Sequence, residues 1–197
     1  MKNIVMGIDQ STNSTGICIN DNDSNIYYLI TSHATKKMKS INVPFLNIIE
    51  YQKTLQTNLN SVQKEYVKGH NVWEISKIIG DIIDKHQPNI IITEAIAFQA
   101  SGTIDQLAGL SYAIRMEAYK RNIPCLVIPP TSIKLQCVGS GTATKDLMIK
   151  TWEMLDDRFM NIPIKKDDLA DAYHMAHFPY ESTLLSIEHM ICGDSNS

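Results

Sequence analysis

Short hydrophobic runs open the chain, and a helical spacing of hydrophobic positions replaces them further along. The first runs cover residues 3–9, 15–20 and 25–31, and the turn-forming stretches QSTNS and DNDS separate them. Apolar runs broken by such turns are typical of an antiparallel meander of strands. From residue 71 the isoleucines of NVWEISKIIGDIIDKHQPN recur on one helical face, which predicts an amphipathic helix.

The second half of the chain alternates helices with buried strands. Pro88 ends the first helix, and the continuous apolar run NIIITEA that follows is typical of a central parallel strand. The pattern then predicts a helix over residues 101–122, a buried strand in IPCLVIPP and a loop in TSIKLQCVGSGTAT. Two more helices are predicted, one from Lys145 to about Leu155 and one from near Asp167. This order predicts an α/β fold with a mixed five-stranded sheet, three antiparallel strands and then two parallel ones, flanked by α-helices.

The domain organisation follows from the length and from two less regular segments. A chain of 197 residues is long enough for one substantial core, and we predict a single domain over residues 1–180. Residues 32–70 are predicted to be an insertion, in which ATKKMKS is typical of a solvated basic loop and VPFLNIIEYQ suits either a strand or a helix. Residues 181–197 are predicted to be a C-terminal tail that frays.

Composition says more about the cellular compartment of the protein than about the reaction that it carries out. The four cysteines are scattered, without the pairing of a zinc site, which fits free thiols in a reducing compartment. No apolar run approaches the roughly 20 residues that cross a bilayer, so we expect no membrane partner and a cytoplasmic location. Abundant Ile, Asn and Lys are typical of an AT-rich genome, which would include a phage, and a viral protein would act in the host cytoplasm. The net charge of −3 does not exclude nucleic acid, because clustered acids neutralised by metal ions would leave the remainder slightly positive.

Four acidic side chains stand where the predicted fold would bring them together. Asp9 and Glu94 end two strands that we expect to lie side by side at the centre of the sheet. Asp168 and Asp171 are three residues apart in DDLADA and therefore share one helical face, whereas Asp167 points about 100° away from Asp168. Several carboxylate oxygens are what hard divalent cations require. The pattern predicts a metal site for phosphate chemistry at one edge of the sheet.

Each acid also has an ordinary structural explanation when taken alone. Asp9 would serve as a turn-capping aspartate, and Asp167 and Asp168 would serve as favourable charges at a helix start. His174 and His177 lie on an otherwise apolar helix, which favours packing or surface roles over metal binding. VGSGTATK lacks the GxxxxGK[ST] spacing of a phosphate-binding loop. The metal-site prediction therefore depends on the four acids acting together.

At these motifs the sequence resembles the RuvC-type Holliday junction resolvases of the RNase H-like superfamily. GIDQSTNSTG is similar to the family's first-strand motif, although Gln10 stands where a proline is usual, and DDLADA is similar to its final helix. IKLQCVGSGTATK resembles the family's lysine-glycine-lysine loop and puts Lys134 and Lys145 in the places of its DNA-contacting lysines. IITEAIAFQA resembles the strand-end glutamate and the loop after it. Phe98 falls one residue later than the family's base-stacking aromatic, and a core phenylalanine is an equal interpretation of it.

The resemblance implies a crossover junction endodeoxyribonuclease that works as a homodimer and nicks two opposing strands of four-way DNA. It also implies Mg²⁺ as the cofactor, with Mn²⁺ able to substitute and two ions in each active site. Asp9 would bridge the ions, Glu94 would bind one of them, and Asp168 and Asp171 would complete the set.

Three alternatives stay open at the level of sequence. The long 32–70 segment favours a broader branched-DNA nuclease of the same fold. A non-catalytic junction-binding protein would share the fold, although clustered carboxylates without a metal repel one another. An actin-like or sugar-kinase-like ATPase has a similar strand-turn motif, but such proteins need two lobes, and this chain has length for one.

Overall fold

A six-stranded mixed sheet forms the centre of the fold in the computed structural model, which describes residues 3–96 and 104–192, with side chains described as far as residue 187. The strand order is β4-β3-β2-β1-β5-β6. Strands β1, β2 and β3 are antiparallel, and β4, β5 and β6 each pair in parallel with a neighbour. The strands are β1 Val5–Asp9, β2 Ser14–Asn20, β3 Asn25–Thr31, β4 Leu46–Glu50, β5 Ile90–Glu94 and β6 Cys125–Ile128.

Helices cover both faces of this sheet. The two longest, α2 and α3, pack on one face over the even-numbered side chains of β1, and α5 and α6 pack on the opposite face. None of the helices in the described ranges is long and apolar enough to span a membrane. The helices are α1 Lys36–Lys39, α2 Ser61–His86, α3 Ile104–Tyr119, α4 Pro130–Val138, α5 Lys145–Leu155, α6 Asp167–Ala176 and α7 Glu181–Cys192.

The predicted α/β architecture is confirmed, and the sheet has one strand more than the five predicted. The additional strand is β4, which comes from the 32–70 segment and extends the sheet beyond β3. Most of its residues are only half-buried, so its hydrophobic pattern shows neither a clean alternation nor a fully buried run. That exposure is the reason why VPFLNIIEYQ did not distinguish strand from helix.

Four helices depart from the predicted pattern. Helix α1, a single turn with no buried residue that Thr35 caps, lies within ATKKMKS, which was predicted to be a loop. Helix α2 begins at Ser61, ten residues earlier than predicted, because a capping box between Asn60 and Gln63 starts it while its first turns stay exposed and carry no apolar stripe. Helix α4 occupies the first part of the predicted loop and starts with Pro130 in its first turn, where the missing N–H costs nothing. Helix α7 forms in the first part of the predicted tail, where Leu184 and Ile187 pack against the core.

Helix α6 lies unusually close to the sheet, directly over two glycines. A Cβ atom on Gly7 of β1 would come well within van der Waals contact of the Ala172 carbonyl, and one on Gly16 of β2 would do the same at the Asp168 carbonyl. Only residues without a Cβ fit beneath the helix backbone at these points. The two glycines therefore set how near the acids of α6 come to the ends of the central strands.

Candidate metal-dependent active site

Asp9 and Glu94 end two paired parallel strands. The β1–β5 register runs from Val5 opposite Ile90 to Ile8 opposite Thr93, so the next residue of each strand is an acid. Neither side chain is fully exposed, because helices cover the sheet close to this edge. The carboxyl ends of parallel strands meet at one edge of a sheet, which is where ligands bind in open α/β folds. The structure thus brings these two predicted site residues together.

A cavity of about 270 Å³ joins these acids to Asp171 of α6. Lys134 of α4 and Lys145 of α5 line the same cavity, so four different helices and strands besides β1 contribute to it. Apolar side chains, among them Ile133 and Met148, form the remaining wall. Five of the predicted site residues therefore share one enclosure.

Asp168 lies beside this cavity and does not line it. Its Oδ2 accepts a hydrogen bond from the Ser14 hydroxyl at the start of β2, and its Oδ1 lies 3.7 Å from Nζ of Lys165. Ser14 was not singled out from the sequence, because one hydroxyl in a turn rich in Ser and Thr carries no distinguishing pattern. The hydrogen bond holds the fourth acid one helical turn away from Asp171.

Burial and mutual repulsion disfavour ionisation of the clustered acids. Burial raises the pKa of Asp9 well above its ordinary value, and the charges of Asp171, Asp168 and Glu94 raise it further. Burial likewise raises the pKa of Glu94 to about 7 and that of Asp171 to about 6, although the two cavity lysines oppose these shifts. The pKa of Asp168 is also raised, mainly by burial. A set of carboxylates in this state gains stability from any cation that enters among them.

The donor set fits a hard divalent cation, although it does not form a closed cage. Within the described ranges, no three Asp, Glu, His or Cys side chains converge closely enough to hold an ion as they stand. Mg²⁺ normally keeps several waters and takes only one or two carboxylates together with substrate phosphate. Oxygen ligands distributed around a cavity, with room left for phosphate, match that preference.

Lys145 stands at the first position of α5, an unfavourable place for a cation near a helix N-terminus. Its Nζ lies 3.4 Å from Oδ2 of Asp167, which also pairs with Lys165 at 2.8 Å. Burial alone would lower the pKa of Lys145, but the Asp167 charge and hydrogen bond outweigh burial, and the net shift is upward. Asp167 accordingly pairs with the lysines and does not line the cavity.

Comparisons with known proteins agree in sequence and in fold. No family model matches the chain. The crossover junction endodeoxyribonuclease RuvC of Prochlorococcus marinus strain SARG is 27% identical over 124 residues, which are 63% of this chain and 79% of that protein. RuvC of Paenarthrobacter aurescens is 30% identical over 103 residues, 52% of this chain and 53% of that protein. The Thermus thermophilus RuvC structure superposes with a TM-score of 0.58 at 15% identity, covering 88% of this chain and 90% of that chain.

The chain is a relative of the RuvC proteins. The predicted family resemblance is thereby confirmed, and the RuvC fold accounts for the mixed sheet with helices on both faces. The structure of T. thermophilus RuvC with its Holliday junction substrate superposes equally well, with a TM-score of 0.59 at 15% identity over 88% of this chain.

Two further predictions about this RuvC relative have different outcomes. Phe98 lies outside the described residues, so its stacking role stays a prediction. His174 is buried with its Nε2 3.0 Å from the Met148 carbonyl, and it does not line the cavity, which confirms a packing role. The His177 ring stacks on Tyr173 at 3.9 Å between centroids, also apart from the cavity.

Proposed function

We propose that the chain is a metal-dependent, structure-selective DNA endonuclease that resolves Holliday junctions by paired nicks. The observation that carries this proposal is the single cavity shared by Asp9, Glu94, Asp171 and two lysines. Acidic oxygens for cations and basic groups for phosphate are the two halves of a phosphodiester-cleaving site. The names of the RuvC relatives support the same activity.

The acids would hold Mg²⁺, with Mn²⁺ as a substitute and two ions in each site. Asp9, on which the charges of all three other acids act, would contribute to both ions, Glu94 to one, and Asp171 together with Asp168 to the remaining positions. When bound, the cations supply an activated water and stabilise the leaving 3′ oxygen of an in-line displacement. Because the pKa values of Asp9, Glu94 and Asp171 are raised by burial in the metal-free protein, cation binding would release protons.

The lysines would hold the DNA backbone. Lys134 and Lys145 reach the cavity from two successive helices, so their charges lie on the side from which a phosphate would approach the acids. A phosphate that contacts Lys145 would replace Asp167 as the partner of its ammonium group. Such contacts position the scissile bond without reading sequence.

A cleavage assay on defined branched DNA tests the proposal. Four-way junctions labelled on each strand in turn are incubated with the protein and Mg²⁺ or Mn²⁺, beside three-way, flap and linear duplex substrates of matched sequence. We expect symmetric nicks on opposing strands near the branch of the four-way junction. Absence of nicks with either metal, from protein that melts cooperatively and binds the junction, would contradict the nuclease and support a non-catalytic junction-binding protein.

The same assay separates the alternatives. Equal cleavage of flaps, three-way junctions and four-way junctions would support a broader branched-DNA nuclease. The long 32–70 segment is the reason for considering this alternative. An actin-like or sugar-kinase-like ATPase needs two lobes around a nucleotide, whereas the described residues form one six-stranded sheet.

A further inference from the structure

The turn that follows Asp9 is held by side chains from outside it. Residues 10–13 connect β1 to β2, and the first of them, Gln10, is only 8% exposed. Its Nε2 donates a hydrogen bond of 2.7 Å to the main-chain carbonyl of Glu94. The backbone pairing of β1 with β5 stops at Ile8 and Thr93, so this side chain adds one more link between the two strands just where their acids stand.

Two more contacts to the turn come from the end of β4. The Tyr51 hydroxyl donates a 2.6 Å hydrogen bond to the Thr12 carbonyl, and the ring is buried. Burial raises the pKa of Tyr51 to about 12, so the hydroxyl keeps its proton at physiological pH. Nζ of Lys53 contacts Oδ1 of Asn13 and lies 3.4 Å from the Thr12 carbonyl.

The segment that provides Tyr51 and Lys53 is itself firmly attached to the fold. The Tyr51 amide donates to the Thr31 carbonyl of β3 at 3.0 Å. Three residues later, Thr54 exchanges two hydrogen bonds, of 2.9 and 3.0 Å, with the side chain of Asn71, which is 1% exposed on α2. The contacts to the turn therefore originate from an anchored segment.

Asp9 needs such support more than an ordinary strand-end residue does. Asp9, Glu94 and Asp171 line one cavity, and like charges held this close repel one another, which acts to push the end of β1 away from Glu94 and α6. The bonds between the Ser11 main chain and the Thr15 hydroxyl tie the turn to β2, and the Asn13 carbonyl accepts a 3.0 Å hydrogen bond from the Ser32 amide just after β3. The Gln10, Tyr51 and Lys53 contacts tie it to β5 and to the segment after β4.

We propose that Gln10, Tyr51 and Lys53 are positioning residues that hold the turn after Asp9, and that the 32–70 segment acts on the active site through this contact. The inference rests on the proposed function for its consequence in catalysis. Its structural part, a turn held from outside, is tested without any cleavage.

Hydrogen exchange on the metal-free protein tests the structural part. In Tyr51→Phe the ring still fills its place and only the hydroxyl bond is lost, so we expect exchange in a peptide covering residues 8–16 to accelerate about fivefold. Tyr180→Phe is the matched control, because Tyr180 is also buried and its hydroxyl accepts a 2.8 Å bond from Asn3 at the opposite end of β1. Unchanged exchange in residues 8–16 of Tyr51→Phe and of a second variant, Lys53→Met, would overturn the proposal.

The metal response tests the consequence for the site. Gln10→Met keeps the length of the side chain and removes its donor, and Thr93→Val is the control, since the buried Thr93 hydroxyl has no partner among the described residues. In Gln10→Met and Tyr51→Phe, we expect half of the metal-induced rise in Tm to need a several-fold higher Mg²⁺ concentration than in wild type. Half-maximal nicking should need a several-fold higher Mg²⁺ concentration as well. Junction affinity without metal should stay unchanged, as should both measurements in Thr93→Val.

The outcomes of the two experiments are distinguishable. If the wild-type protein binds junctions without nicking them, the proposed function is contradicted. The hydrogen-exchange result would still decide whether the turn after Asp9 is held by contacts from outside it. Faster exchange combined with an unaltered metal response in both Gln10→Met and Tyr51→Phe would overturn the positioning role while leaving the nuclease intact.

Discussion

Three aspartates within the first turns of α6 contact different partners. Asp167 pairs with Lys145 and Lys165, Asp168 accepts a hydrogen bond from Ser14, and Asp171 lines the cavity. The environment of each carboxylate follows from this: the pKa of Asp171 is raised by burial, whereas lysine contacts keep the pKa of Asp167 low in spite of burial. Substituting Asp171 and Asp167 in turn therefore compares an aspartate that lines the cavity with one that does not.

Asp171→Asn preserves the shape of the side chain and removes a charge at the cavity. We expect nicking to fall by more than about 100-fold, because even outer partners of metal ligands are worth roughly 10- to 100-fold. Junction binding should survive, and Asp9→Asn and Glu94→Gln should behave in the same way. Asp167→Asn is the matched control, with a much milder effect. Full Mg²⁺-dependent nicking by Asp171→Asn would show that the site is assigned to the wrong residues.

The pKa of Glu94, raised by burial from its usual 4.5 to about 7, predicts how stability depends on pH. Between these values the folded state binds more protons than the unfolded state, so this group's contribution is present at low pH and is lost as the pH rises through 7. Without metal, Glu94→Gln should therefore gain in Tm relative to wild type between about pH 5 and pH 8, and Mg²⁺ should reduce the difference at pH 8. Thermal melting across pH, with and without Mg²⁺, measures this, and a constant difference between the two proteins would count against a strained carboxylate.

At the scale of elements, the distance between α6 and the sheet decides whether the acids meet. Gly7 and Gly16 leave no room for a Cβ beneath the helix backbone, so the approach is as close as the chain allows. The contact is between a helix and two strands that are far apart from it in sequence. The acids of α6 depend on that approach as much as on their own spacing.

Gly16→Ala should separate the helix from the sheet. The added Cβ meets the backbone at Asp168, which no rotamer change relieves, and we expect a destabilisation of about 1–3 kcal/mol, as in overpacked cores. Gly69→Ala is the control, since Gly69 lies in α2 with nothing within 4 Å of a new Cβ, and it should gain about 0.5–1 kcal/mol. Chemical denaturation of both variants measures the effect, and an unaltered midpoint for Gly16→Ala would contradict a close-packed α6.

At the scale of the whole molecule, the proposed function requires a chain with a net charge of −3 to bind a polyanion. The two cavity lysines line the same cavity as the acids, and each phosphate contact that a lysine makes would release condensed counterions. We expect Lys134→Ala and Lys145→Ala each to reduce the slope of log affinity against log salt by about 0.9. Junction binding titrated across a salt series measures the slopes, with the exposed, distant Lys120→Ala as control. Superimposable slopes for all four proteins would place DNA away from these lysines.

Paired nicks on a two-fold-symmetric junction require two active sites that face it together. The working unit should therefore be a C2 dimer, in which the same surface of each copy forms the contact. Light scattering of the protein on a four-way junction should report two subunits for each DNA. A 1:1 complex that still makes both incisions would exclude this arrangement.

The pattern of residues along the chain predicted the three-strand meander, the buried strands β5 and β6, and the positions of the acids. It also predicted the helices α2, α3, α5 and α6. These features follow from the spacing of apolar residues and from the points where apolar runs end, and both are visible in the sequence. Helix geometry separates Asp167 from Asp168, which point about 100° apart, but not Asp167 from Asp171, which are four residues apart on one face. The structure decides between these two, because Asp171 lines the cavity and Asp167 pairs with lysines. Helix α4 was read as a loop because its nine residues, only one of them fully buried, show no apolar stripe.

The tertiary structure alone decided that Asp168 turns to Ser14, that β4 extends the sheet, and that the turn after Asp9 is tied to Glu94 and Tyr51. The three side-chain contacts join residues 39, 84 and 154 positions apart, and β4 is an edge strand whose residues are mostly half-buried. Single polar side chains carry no periodicity, so nothing in the linear pattern distinguishes a hydroxyl that positions an acid from one that faces water. Those pairings exist only once burial against the sheet has removed water as the competing partner.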